Sequence, residues 1–293
     1  VLEWAERHGG ARARTPLLAH LAEELVSLTC RPGTPPAALL SQASRMVFLL
    51  AGMSADAGHH ALADAYWRHA AEAGRVAGDR GAYALALRAM STQARRLDQS
   101  RRALLLADAA VESYAQAPPA VRSYLLVERA ACHAARGHAH RARADLSAAE
   151  DCHPGDDRRS GGRRSGDRHD GDRYSGDPFT TYPVCALDYQ RAAVFELLGE
   201  RETAVRAAHA SLAARPDSQC RSRALTQARL ARVLLRTGQL EEACAQACAF
   251  FELLPDLASA QVSGEVVRLR AALSPYRRAR TARTVWERAR SAV

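Results

Sequence analysis

An alanine recurs along this chain at steps of about 39 residues, each time early in a helical segment that follows a turn. These anchor alanines are Ala63, Ala103, Ala142, Ala204, Ala243 and, in a weaker last copy, Ala282. The steps between them are 40, 39, 62, 39 and 39 residues, so the long step equals one repeat plus an insertion of about 23 residues. Self-similarity at such a period indicates supersecondary units that stack on one another and bury a shared core.

Other positions keep the same register relative to the anchor. Five residues before it stands a turn residue: Gly58, Asp98, Gly137, Gly199 and Gly238. Twelve residues before it stands a small residue: Ala51, Ser91, Ala130, Ala192 and Ala231. Twelve residues after it, three copies have a proline: Pro154, Pro216 and Pro255. Glycine suits a left-handed turn, small residues let two helices approach closely, and proline ends a helix. The register therefore predicts antiparallel helix pairs.

Small-residue spacing, a turn glycine and a terminal proline in this order resemble the tetratricopeptide (TPR) repeat, and residues 230–255 match it best. The resemblance implies an all-α fold of TPR-like antiparallel helix pairs that form a right-handed superhelical solenoid. Composition agrees with a helical fold, because Ala, Leu and Arg dominate and are strong helix formers. The chain contains no Ile, and no segment clusters the Val, Thr and aromatic residues from which strands would otherwise be built.

The repeats divide the chain into five predicted regions. These are an N-terminal linker and helix (1–36), repeats one to three (37–154), a disordered insertion (155–178), repeats four and five (179–255) and a capping helix pair (256–293). Within the first region we predict a polar lead over 1–14 and an amphipathic helix over Thr15–Leu28. The insertion is rich in Arg, Asp, Gly and Ser and has too few apolar residues to offset its ordering entropy. An RGG-like nucleic-acid-binding segment is the alternative, although the interleaved aspartates argue against it.

The absence of lysine excludes several classes of enzyme. All 41 basic residues are arginine, against 32 acidic residues, for a net charge of +9. Without lysine there is no P-loop, no kinase β3 lysine and no Schiff base. The chain also lacks Asn and Ile, and the joint absence of these three residues, whose codons are rich in A and T, indicates a high-GC genome, as in actinobacteria. The excess charge predicts at most a non-specific attraction to phosphate.

One stretch carries a more specific resemblance. Residues 50–58 read Leu-Ala-Gly-Met-Ser-Ala-Asp-Ala-Gly, and residues 60–67 read His-Ala-Leu-Ala-Asp-Ala-Tyr-Trp. Further along, residues 77–80 read Ala-Gly-Asp-Arg and residues 89–94 read Ala-Met-Ser-Thr-Gln-Ala. These segments are similar to the C-terminal region of actinobacterial XRE-type regulators. In that family a helix-turn-helix DNA-binding domain precedes a TPR-like sensor domain. The resemblance implies a sensor domain in transcription regulation. The given residues contain no helix-turn-helix, and the sequence leaves open whether one precedes Val1, so we expect contact with DNA only through a domain outside this sequence.

The position of each residue relative to its anchor alanine predicts which side chains lie on the concave face of the solenoid. The candidate ligand-binding residues are Arg45, Phe48, Asp56, Arg88, Thr92, Arg95, Tyr124, Glu128, Tyr189, Glu196, Arg232 and Arg236. Guanidinium groups pair bidentately with carboxylates, and tyrosine supplies apolar area with one polar tip. This mixture predicts a peptide or a small acidic metabolite as the ligand. A solvated charged groove that binds nothing, or one that binds a second copy of the chain as a homodimer, is the alternative.

Metal and catalytic sites are weakly supported by the sequence. Cys244 and Cys248 share a helix face, but a structural zinc site needs four ligands. A second group, Cys132, His133, His138, His140, Cys152 and His153, matches no familiar zinc spacing. No common hydrolase, metalloprotease or dinucleotide-binding motif is present. We therefore expect no enzyme activity, no cofactor and no metal.

The cysteine content and the hydropathy of the sequence predict where the protein is located. Seven irregularly spaced cysteines favour free thiols and a cytoplasmic protein, and the absence of a long apolar run argues against a membrane partner. Two functions other than ligand sensing are open: a protein–protein interaction scaffold, and an atypical helical-repeat enzyme of a natural-product pathway.

Overall fold

The computed structural model describes residues 2–29, 35–154 and 179–291. Within these ranges the chain forms fourteen α-helices, two short 3₁₀ helices and no strand. The prediction of an all-helical fold is confirmed. The predicted disordered insertion, 155–178, lies outside the described residues.

The helices follow the predicted pairs closely. They are α1 (Leu2–His8), α2 (Gly10–Thr29), α3 (Ala37–Asp56), α4 (His60–Ala77), α5 (Arg80–Arg96), α6 (Ser100–Ser113), α7 (Pro119–Ala135), α8 (Ala139–Cys152), α9 (Val184–Leu198), α10 (Arg201–Ala213), α11 (Cys220–Arg236), α12 (Leu240–Leu253), α13 (Ala260–Leu273) and α14 (Arg280–Ser291). The 3₁₀ helices, Leu254–Asp256 and Ser274–Tyr276, follow α12 and α13.

Packing joins these helices into hairpins. The most extensive contacts lie between α3 and α4, α5 and α6, α7 and α8, α9 and α10, and α11 and α12. Several first helices also pack on the first helix of the next hairpin, as α5 does on α7 and α7 on α9, whereas α11 packs on α10. One face of each first helix is therefore directed toward the neighbouring hairpins.

The anchor alanines lie at the centre of this packing. All six are fully buried, and so are the five small residues that precede them by twelve positions. In the second hairpin, the Ser91 hydroxyl of α5 donates a hydrogen bond to the Ala103 carbonyl of α6 at 2.8 Å. A larger side chain at either position would force the two helices apart, because protein interiors have few voids.

The hairpin turns have the predicted backbone. The residue five positions before each anchor has φ between 58° and 87°, in the left-handed region. Four of these residues are glycine, and the fifth, Asp98, is a residue type that tolerates this conformation. The turn prediction is confirmed for all five hairpins.

A pair of glycine substitutions tests this turn geometry. Gly238→Ala is expected to lower the free energy of unfolding by about 1 kcal/mol, because φ is +80° there. No atom lies within 4 Å of the added Cβ, so the cost is confined to the backbone. Gly52→Ala, in the interior of α3 and also free of contacts, should raise the free energy by about 1 kcal/mol. Chemical denaturation measures both changes. If the two substitutions changed the free energy of unfolding in the same direction, the left-handed turn at Gly238 would be contradicted.

The N-terminal region differs from its prediction. Residues 2–8 form α1 instead of a polar lead, and the helix predicted from Thr15 begins at Gly10. α1 packs on α11, and the Ala258 amide donates to the His8 carbonyl at 2.8 Å. Gly9 separates α1 from α2 with φ of +88°, and a Cβ there would lie 2.3 Å from the Ala258 oxygen. This tertiary contact stabilises a short helix that its own sequence pattern does not predict.

Only α3, among the described helices, has the length and apolar composition that could cross a membrane, which is weak support for a span. Three of its polar residues, Ser44, Ser54 and Asp56, are buried against other parts of the protein.

Candidate functional site

The shared face of the first helices carries a network of arginines and carboxylates. Contacts on this face join residues 33, 36 or 40 positions apart, close to one repeat step. We call this set the arginine network; it comprises Arg88, Arg95, Arg96, Arg221, Arg229, Arg232, Arg236 and Arg268 with Glu128, Glu196 and Glu265. Most of the predicted ligand-binding residues belong to it or contact it.

Glu128 of α7 is the most deeply buried acid of the network, with a side chain 0% exposed. Arg95 binds it bidentately, from Nε to Oε1 at 2.9 Å and from Nη2 to Oε2 at 3.1 Å. Arg88 Nη2 lies 3.9 Å from Oε2. Burial acts to raise the pKa of Glu128, but the positive charges of Arg95 and Arg88 outweigh it and hold the pKa below its usual value. Glu128 is therefore an ionised internal counter-ion.

Arg88 contacts both Thr92 and Tyr124 beside this pair. The Arg88 guanidinium carbon lies 3.4 Å from the Tyr124 ring centroid, and its Nε donates to the Tyr124 carbonyl at 3.2 Å. Arg88 Nη1 also donates to Thr92 Oγ1 at 3.4 Å. Arg88 is only 5% exposed. These predicted residues lie together, and the burial of Arg88 closes its guanidinium group to a dissolved ligand.

Glu196 of α9 occupies the other end of the network. Its carboxylate accepts from Arg229 at 3.0 Å, Arg236 at 2.9 Å and Arg232 at 3.3 Å. Arg232 also donates through Nε to Glu265 of α13 at 3.1 Å. Arginines outnumber carboxylates here, so this end of the network has an excess of positive charge. The Arg236 side chain is 52% exposed and is accessible to a ligand.

Tyr189 lies between the two ends. Its ring centroid is 4.6 Å from the Arg229 guanidinium carbon, and its phenol oxygen accepts from Arg229 Nη2 at 3.3 Å. Burial acts to raise the pKa of Tyr189, but the charges of Arg229 and Arg96 outweigh it and the pKa lies below its ordinary value. The phenol is therefore held in a positive field.

Arg96 and Arg221 meet near Tyr189 on a single amide group. Gln261 Oε1, at the start of α13, accepts from Arg96 Nη1 at 3.1 Å and from Arg221 Nη2 at 2.8 Å. Guanidinium groups remain protonated in proteins, so two positive charges share one neutral acceptor here.

Asp56 belongs to a different contact, the N-terminal junction, at which residues 6–10 meet Asp56, Arg221, Ser222 and 258–259. The Asp56 carboxylate accepts from the Gly10 amide at 2.7 Å, Ser259 Oγ at 2.6 Å and Arg221 Nε at 2.9 Å. Burial acts to raise the pKa of Asp56, but Arg221 and the hydrogen bonds from Ser259 and Gly10 outweigh it, so the pKa is lowered. This predicted ligand-binding residue therefore holds the two ends of the fold together.

Arg45 and Phe48 lie apart from the other predicted residues, on α3. Both side chains lie beside Phe179. The Phe179 ring centroid is 5.1 Å from the Arg45 guanidinium carbon and 5.3 Å from the Phe48 ring centroid. Arg45 Nη2 lies 3.7 Å from Asp79 Oδ2. The structure thus separates Arg45 and Phe48 from the network, whereas Asp56 contacts it through Arg221.

A cleft of about 550 Å³ opens at the Glu196 end of the network. It is lined by Arg201, Arg232, Leu235, Arg236, Arg268, Ala271, Ala272, Pro275 and Tyr276. Four guanidinium groups border an apolar floor, and the volume falls within the usual range for small-molecule sites. The cleft suits an anion that carries an apolar part.

Several network residues are absent from the sequence-based set of candidates. Arg229 could have been found, because it shares a helix face with Arg232 and Arg236 at spacings of three and seven. Arg221 and Gln261 could not, because they join the network only through contacts between distant parts of the chain.

Metal ligation has no geometric support in residues 2–29, 35–154 and 179–291, where no three His, Cys, Asp or Glu side chains lie close enough to hold an ion. Cys132 lies 3.3 Å from Ser91 Oγ, and burial raises the pKa of its thiol to about 12. Cys244 is buried whereas Cys248 is exposed, so the two thiols face different surroundings. Burial also raises the pKa of the Cys244 thiol, so Cys132 and Cys244 are neutral at physiological pH.

No family model matches this sequence, and no curated protein matches it.

Proposed function

We propose that this chain is the ligand-sensing domain of a cytoplasmic transcription regulator and binds a peptide or a small acidic metabolite. The observation that carries the ligand class is the excess of arginine over carboxylate around Glu196. A guanidinium group whose carboxylate partner is shared retains donors for a second anion. The regulator class is supported by the sequence resemblance alone.

The proposed architecture is a TPR-like right-handed superhelical solenoid with the arginine network on its concave face. Hairpins of near-constant length, buried anchor alanines and contacts between successive first helices support it. In such an array each repeat contacts only its neighbours, so a ligand that contacts several first helices changes the relative orientation of the hairpins. Ligand binding would thereby alter the geometry seen by an attached DNA-binding domain or by a second copy of the chain.

The test is a thermal-shift screen of the full chain against pools of organic acids and acidic peptides, followed by calorimetric titration of any hit. Arg236→Gln is expected to weaken binding about tenfold, which corresponds to one lost charge-assisted hydrogen bond. Arg206→Gln on α10 is the matched control, because Arg206 is exposed and its one side-chain hydrogen bond among the described residues goes to Thr203 of its own helix.

Two outcomes would contradict the proposal. One is the absence of a shift with every pool. The other is equal affinity in wild type and Arg236→Gln for every hit. Co-purification of a stoichiometric partner protein, with no small ligand, would instead favour the interaction scaffold.

A further inference from the structure

Arg96 differs from every other arginine of the network. Each of the other seven lies within 4.0 Å of a carboxylate oxygen. Arg96 has no such partner in the described part of the chain, and its one recorded side-chain hydrogen bond goes to the neutral amide of Gln261. Its side chain is exposed, so a dissolved ion can reach it.

The surroundings of Arg96 add further positive charge. Arg221 donates to the same Gln261 oxygen, so two guanidinium groups converge on one neutral acceptor. Arg229 donates to Tyr189, whose phenol senses the charges of both Arg229 and Arg96. Glu128 and Asp56 are already bound by the neighbouring Arg95 and Arg221. The charge of Arg96 itself therefore has no carboxylate partner in the described part of the chain.

The geometry leaves donors available for an anion. Nε and Nη2 of Arg96 have no acceptor in the described part of the chain, and together they form the edge that binds two oxygens of one oxyanion. The Tyr189 oxygen accepts from Arg229, so its own hydrogen is free to donate.

We propose that Arg96, Tyr189 and Gln261 form a binding site for the oxyanion group, carboxylate or phosphate, of a small molecule. Gln261 orients Arg96, the guanidinium edge binds two oxygens, and the Tyr189 hydroxyl donates to one of them. The proposal names a subsite within the proposed function and rests on it for the remainder of the ligand. The oxyanion relieves the repulsion between Arg96 and Arg221 and so stabilises the fold.

The experiment compares thermal unfolding of the full chain in phosphate, acetate and chloride at equal ionic strength, so that general screening is matched. A dissociation constant near 1 mM predicts a rise in melting temperature of about 5 °C at about 50 mM phosphate relative to chloride. Acetate distinguishes a carboxylate site from one that requires phosphate. Arg96→Gln should abolish the anion-specific rise without lowering the melting temperature in chloride, because a repelled charge has been removed.

Two further variants sharpen the result. Tyr189→Phe removes one donor and should reduce the anion-specific rise while leaving part of it. Arg101→Gln, an equal charge change on the exposed side of α6, should leave the rise unchanged. Equal melting temperatures in phosphate, acetate and chloride, or an undiminished rise in Arg96→Gln, would overturn the subsite.

The subsite and the proposed function can fail separately. An anion-specific rise that depends on Arg96, with no organic acid or peptide bound, keeps the subsite and overturns the proposed function. An organic acid whose affinity depends on Arg236 but not on Arg96 keeps the function and overturns the subsite.

Discussion

Replacing Glu128 with glutamine is expected to lower the free energy of unfolding by about 3 to 5 kcal/mol, the usual cost of removing one partner from a buried ion pair. The carboxylate is fully buried and holds Arg95 bidentately, with Arg88 beside it. Glutamine retains the shape but not the charge, so two guanidinium groups lose their shared counter-ion. Denaturant unfolding followed by circular dichroism measures the change.

Glu72→Gln is the matched control for this substitution. Glu72 pairs with Arg75 on the exposed surface of α4, so its replacement should change stability little. The pKa of Glu128 is lowered in the folded protein, so its contribution is fully present above the pKa of an unfolded glutamate and is lost as pH falls through the lower folded value. The wild-type advantage should therefore shrink in acid. A constant difference between wild type and Glu128→Gln across that range would contradict the assignment.

Replacing Asp56 with alanine is expected to cost about 3 kcal/mol and to release the N-terminal segment. Asp56 is the acceptor for Gly10, Ser259 and Arg221, which come from three separate parts of the chain. Without it the nearest remaining carboxylate contact of Arg221 in the described part of the chain is the longer one to Glu6, at 3.5 Å. Hydrogen exchange should show faster exchange of the amides in α1 and the first turns of α2, with smaller changes in α7 and α8.

Asp64→Ala provides the comparison. Asp64 also binds an arginine, Arg102, at 2.6 Å, but on the surface and without backbone donors. Its loss should cost less than about 1 kcal/mol and leave exchange in α1 unchanged. If Asp56→Ala left the α1 amides as protected as in the wild type, the N-terminal junction would not depend on this carboxylate.

The repeat register was the part of the fold that sequence reasoning could predict. Ala204 and Ala243 were placed by a 39-residue step, and both are fully buried at helix contacts. Gly199 and Gly238 were placed five residues earlier, and both are left-handed. These positions are predictable because each depends on local geometry within one hairpin, where steric limits allow few residue types.

The candidate site was predictable only in part. Register placed Arg232 and Arg236 on the same face as Glu196, and the structure brings them together. It could not show that Arg88 and Arg95 are neutralised by Glu128, because register gives a direction but not the depth of burial. Nor could it place Asp56 at the N-terminal junction, because the register does not show which distant parts of the chain come together when it folds.

The N-terminal junction also has a consequence for biosynthesis. Glu6 accepts a hydrogen bond from the Ser222 hydroxyl, 216 residues later in the chain. At about 5 to 20 residues per second, the ribosome needs roughly 10 to 40 s to make that partner after it has added Glu6. During that interval α1 lacks its partner helix, and chaperones have access to its exposed Leu2 and Trp4.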